Sequence, residues 1–228
     1  MSLPDRTDIT LLRVLQLASP ALPIGGYAYS QGLEYAVEQN WVTDLDSAAA
    51  WLEGVANRAL GQLDIPVLLR QFAALEAGDQ ASVQRWNDWL LANRETAELY
   101  LEDSQQGGAL LRLMISLEMP TALGWPKGEP IALMTAFAMA GSHWQTDVRS
   151  LAHGVLWSWL ENQVGAATKL VPLGQTDAQR LLGRLLPGLP LIVDAASELK
   201  DDELGAGLPG LAFASACHEH QYTRLFRS

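Results

Sequence analysis

What this chain has little of narrows its role first. It holds a single cysteine, Cys217, in 228 residues, so no disulfide can form within it and a reducing compartment is expected. Its 15 Lys and Arg are outnumbered by 26 Asp and Glu. The resulting net charge of −11 argues against a protein that coats nucleic acid or an anionic membrane, because such binding is driven by clustered cations. Arg224 and Arg227 offer the best local basic patch. No apolar run approaches the roughly 20 residues needed to cross a bilayer; Gln, Glu, His or Arg breaks the longest ones. The opening residues, MSLPDRTDIT, lack the basic-then-apolar order of a signal peptide. A soluble, cytoplasmic protein is the expectation.

Strand signals are also scarce. Residues 189–193 (LPLIV) are short, apolar and β-branched, but Pro190 interrupts them and no partner strand is evident. Helical spacing fills most of the remainder. Leu11, Leu12, Leu15 and Ala18 share a face behind an Asp8 cap. Trp51, Val55, Ala59 and Leu63 recur every four residues, and Leu68, Phe72 and Leu75 continue after Pro66. Val83, Trp86 and Leu90 follow Asp79, placed to accept the first free amides of a helix. Leu110, Leu111, Met114 and Leu117 form a face ending at Pro120. Met134, Phe137 and Gly141 form another, and Val148, Leu151, Val155 and Trp159 a third, capped by Thr146 or Asp147. Thr176 and Gln179 fit a capping box. Breaks fall at 19–29, 120–130 and 200–210, none long or polar enough for a flexible linker. With apolar residues at 49%, the expectation is one compact all-α domain over 1–228, of about nine or ten helices.

Signatures of chemistry are missing as well. Gly25 and Gly26 are not part of GxxxxGK[ST] or GxGxxG, so a tight turn is favoured over a phosphate cradle. Ser30 lies outside a GxSxG elbow and reads as an N-cap for a helix over 30–37, with Glu34 near the positive end of the helix dipole. Cys217, His218, Glu219 and His220 are the one cluster of metal-competent side chains. On a helix Cys217 and His220 share a face while His218 points about 100° away, leaving two ligands where tight sites use three or four. A nickel-carrier role for Cys217, His218 and His220 stays open beside a structural one. His143 and His153 read as structural. Lys169 fits the negative end of a helix dipole, or a charged contact with a partner.

The strongest positive signal is the segment 218–228, HEHQYTRLFRS. Tyr and Arg are enriched among interface hot spots, and exposed Tyr222, Leu225 and Phe226 would be an apolar liability unless covered. A docking tail is expected.

Three stretches in order carry a likeness: LASPALPIGGYAYSQGLE (17–34), KLVPLGQ (169–175) and the tail. Together they resemble the family of the urease accessory protein UreF, over essentially the whole chain. Gly26, Tyr27 and Ala28 stand where that family commonly has Ala, Phe and Ser; His220 and Thr223 replace Thr and Ser. His220 is therefore not read as a family ligand. The resemblance implies an all-α protein without catalysis or cofactor. Such a protein bridges UreD (UreH) and the GTPase UreG on apo-urease, modulates GTP hydrolysis during nickel insertion, and can form a homodimer. It also implies that Gln221, Tyr222, Arg224, Leu225, Phe226 and Arg227 meet UreD. Pro23, Gly25, Tyr29, Ser30, Glu34 and Lys169 would then face the GTPase.

Overall fold

A computed structural model describes residues 6–205 and 207–228, with side chains from Ile9 onward. Among these residues there is no strand. The elements are α1 (Arg6–Leu17), α2 (Leu33–Glu38), α3 (Leu45–Val55), α4 (Ile65–Glu76), α5 (Gln80–Ala92), α6 (Ala97–Ser116), the single turn α7 (Pro120–Leu123), α8 (Leu133–His143), α9 (Val148–Leu170), α10 (Gln175–Leu185), α11 (Leu189–Glu198) and α12 (Pro209–His218). A π-helical stretch, Ala56–Asp64, joins α3 to α4 without a break. With that rod counted once and α7 set aside, ten helices remain, as the periodicity predicts.

Local chemistry explains most boundaries. Asp79 accepts the Ser82 N–H at the start of α5, and Asp147 accepts that of Ser150 at the start of α9. Pro190 sits in the first turn of α11, where its missing N–H is least missed. Thus 189–193 is helical. Pro66 leaves the Gln62 carbonyl without its usual helical donor, and the Gly205 N–H bonds to that carbonyl instead, at 3.1 Å.

α8 is the central element: residues 134–141 are all buried, and it packs against α4 and α6. Gly107 on α6 permits the approach, because a Cβ there would lie 2.1 Å from the Ile131 carbonyl oxygen.

Two expectations need correction. Among the described side chains of α1 and the residue after it, Val14, Leu17 and Ala18 are buried, while Leu11, Leu12 and Leu15 face outward. The helix is apolar on more than one side, and periodicity alone does not choose which side meets α9. Asp8 lies within α1 rather than ahead of it; its side chain is outside the described residues. At α10 the N-cap is Gly174, with no side-chain cap bond, so Thr176 and Gln179 already lie inside the helix and form no capping box.

Candidate functional site

The 17–34 motif forms a loop followed by α2. Gly25 has φ +77° and precedes a 3₁₀ turn at Gly26–Ala28; Gln31 and Gly32 also have positive φ. Such a backbone is costly for Gln31, and its side chain is held at both ends. Its amide donates to Glu102 Oε1 at 2.8 Å and its oxygen accepts the Trp159 indole N–H at 2.8 Å. Tyr29 donates to Gln105 at 2.8 Å, and Asn162 donates to the Gly26 carbonyl.

The tail folds back onto this loop. The Arg227 N–H donates to the Ala28 carbonyl at 2.8 Å. The Ser30 N–H and hydroxyl both donate to the Ser228 main-chain oxygen. Glu34 accepts the N–H groups of Leu225 and Phe226 at 2.6 and 2.9 Å. Ser228 donates its hydroxyl to Glu102, and Arg224 donates to Glu98. Phe226 is 6% exposed, and the Lys169 ammonium stands 5.4 Å from its ring centroid. The three motifs, remote in sequence, therefore meet in one clasp.

This placement sorts the expected site residues. Glu34, Ser30, Tyr29, Phe226 and the backbone of Arg227 build the clasp from inside. Tyr222, Leu225 and the Arg227 side chain point outward, as do Pro23 and Lys169; Gly25 supplies the turn, and Arg224 is exposed although paired with Glu98. Gln221 buries its side-chain oxygen with no hydrogen-bond partner. Phe226, which the sequence offers as a surface anchor, is instead a core residue. Ser30 is not the N-cap of α2, which begins at Leu33 behind Gly32. Its hydroxyl still accepts the Glu34 N–H, at 3.3 Å.

His218 is fully buried, with Nδ1 2.8 Å from Glu98 and Nε2 3.1 Å from Glu34. Both ring nitrogens are thus engaged inside the clasp. Among the described residues no group of three or more His, Cys, Asp or Glu is arranged to hold a metal ion. Cys217 is half-buried beside Tyr35, whose pKa is raised by a hydrogen bond with that thiol.

Residues that sequence reasoning missed lie on α6. Glu98, Glu102 and Gln106 are buried at four-residue spacing, in register with Leu110 and Met114. The spacing was available as a signal: one helix face passes from polar to apolar. Glu102 and Gln106 line a cavity of about 390 Å³, walled by Leu60, Phe137, Val155 and Trp159 among others. Arg94 spans Asp64 and Asp103 at 2.5 and 2.9 Å. Burial opposes its charge, yet the two aspartates more than offset this and raise its pKa. Burial also raises the Asp103 carboxyl, against the pull of Arg94. It lifts Glu102 to about 7, against hydrogen bonds from Ser228 and Gln31.

The UreF family model matches residues 42–186. This chain belongs to the UreF family. Relatives extend the match to nearly the whole chain. The urease accessory protein UreF of Teredinibacter turnerae is 51% identical over 218 residues, covering 96% of this chain and 98% of that protein. Those of Hahella chejuensis and Pseudomonas putida W619 are 47% and 50% identical over 220 and 222 residues, with 96–97% of this chain and 99% of each protein covered. The UreF family is thus shown by the central helices and by full-length relatives alike. No helix among the described residues is long and apolar enough to cross a membrane.

Proposed function

We propose that this chain is a non-catalytic adaptor in urease maturation. It bridges UreD (UreH) and the GTPase UreG on apo-urease and tunes the GTP-dependent step that installs nickel. A second copy of the chain belongs to the same reading, through a homodimer.

One observation supports this best. The three family-like motifs converge on a clasp whose polar groups satisfy one another and whose outer surface carries Tyr222, Leu225 and Arg227. Aromatic and arginine side chains on a rigidly held segment suit a binding surface, because little ordering entropy is lost on docking. Ser30 donates its hydroxyl to the Ser228 main-chain oxygen rather than to a base, which fits the non-catalytic reading.

The test is calorimetric titration of the purified protein with UreD. Tyr222→Ala is expected to weaken binding by more than about 1 kcal/mol with the fold intact. Unchanged affinity would count against the tail as the docking surface. On the GTPase side, Lys169→Ala should lower the urease activation yield while UreD binding persists.

A further inference from the structure

Beside the clasp lies an open cleft of about 450 Å³ between the 24–29 turn, the outer face of α6 and the tail. Its lining includes Ile24, Tyr27, Gln105, Ala109, Arg112 and Arg227, and it contains no Asp or Glu. In a chain with net charge −11, that local balance is reversed.

Both arginines are exposed, and neither takes part in an ion pair among the described residues. Arg70, Arg94, Arg149, Arg180, Arg184 and Arg224 all do. An unpaired guanidinium offers a planar fork of donors that matches a carboxylate. The cleft is also rigid where it matters. Arg227 is fixed through its N–H on the Ala28 carbonyl, and Tyr29 is tied to Gln105 at 2.8 Å across the floor.

Peptide fits this cleft better than a small anion does. The lining presents residues 104–112, the middle of α6, where backbone amides are consumed within the helix and cannot cradle phosphate. The lining combines apolar Ile24, Tyr27, Ala28 and Ala109 with polar Ser104, Gln105, Arg112 and Arg227, a mixture that suits a chain of mixed side chains.

We propose that this cleft receives an extended acidic segment of the partner protein that docks on the tail, its carboxylates pairing with Arg112 and Arg227. The inference rests on the adaptor reading above and adds the chemistry of the contact.

Two sets of variants of the full chain test it, with UreD as the probe. The double variant Arg112→Glu, Arg227→Glu should bind at least tenfold more weakly than wild type and lose most of the salt dependence, whereas Arg58→Glu, outside the cleft, should bind normally. The second set, Arg112→Lys and Arg227→Lys, keeps the charge and introduces an amine. In the assembled complex, carbodiimide should link the new lysine to an Asp or Glu of UreD, located by mass spectrometry. This readout decides the matter even if charge reversal disturbs folding.

Wild-type affinity in a folded charge-reversed protein, or a cross-linked complex with no link at 112 or 227, would overturn the proposal. Calorimetric binding of inorganic phosphate that disappears in the double variant would also overturn it, assigning the cleft to a small anion. If wild-type protein fails to bind UreD at all, the adaptor reading itself falls and takes this inference with it.

Discussion

Ser30 and Ser228, 198 positions apart, meet at a single main-chain oxygen: the N–H and the hydroxyl of Ser30 both donate to this oxygen of Ser228, at 2.7 and 2.6 Å. Ser30→Ala removes one of the two bonds, at a net loss of about 1 kcal/mol. The tail should then open more often, and trypsin should cut after Arg224 roughly fivefold faster under native conditions. An unchanged cleavage rate would show that the tail is held by its other contacts alone.

Glu34 has a heavier duty. Its carboxylate accepts Leu225 N–H, Phe226 N–H and faces His218 Nε2. In Glu34→Gln one oxygen becomes an amide that donates, so at least one buried N–H faces another donor. A loss of about 2–3 kcal/mol is expected in denaturant unfolding, larger than for Ser30→Ala.

Glu102 supplies a pH dependence with a definite sign. Its ordinary pKa of 4.5 rises to about 7 in the fold, chiefly through burial. The folded chain therefore binds this proton more tightly than the unfolded chain does. The associated stability is full below about pH 4.5, falls as the pH climbs to about 7, and is gone above it. Glu102→Gln should flatten that decline. At about pH 8 the variant should be the more stable protein, by up to about 3 kcal/mol, and below about pH 4.5 the two should converge. Urea titrations at both ends of the range check this.

Arg94 is where the interior tolerates least change. Removing it strands Asp64 and Asp103, both buried, without a counter-charge. Arg94→Ala should cost about 3–5 kcal/mol, measured by chemical denaturation. Arg184→Ala loses only an exposed pair with Asp46 and should cost less than about 1 kcal/mol.

The two aromatic residues of the tail should behave oppositely. Tyr222 is fully exposed and Phe226 is buried. Tyr222→Ala should leave the melting temperature unchanged and affect only binding. Phe226→Ala should loosen the clasp by about 3 kcal/mol through lost packing, so that any loss of UreD affinity comes with faster proteolysis of the tail.

Helices were readable where a cap and an apolar period agree, as at Asp79 with α5 and Asp147 with α9. Reading failed where the period was ambiguous: α1 carries leucines on several sides, and only the packing against α9 decides which face is buried. The tail announced that it needed a cover. What covers it could not be inferred locally, because Glu34 is 192 positions from Phe226. Nothing in the sequence analysis singles out Glu98 or Glu102, because charged side chains usually face solvent. Their burial is intelligible only once Arg224, His218, Ser228 and Gln31 are in place around them.

During synthesis the clasp can close only at a late moment. Ser30 and Glu34 leave the ribosome early, yet their mates at 225, 226 and 228 follow after nearly two hundred further codons. Until then the loop carries unmatched donors and acceptors, and water must satisfy them. A product interrupted before codon 224 could still assemble its central helices, but it would lack both the lock and the outward face mounted on it. Synthesis of residues 225–228 and closure of the clasp are thereby tied to one event.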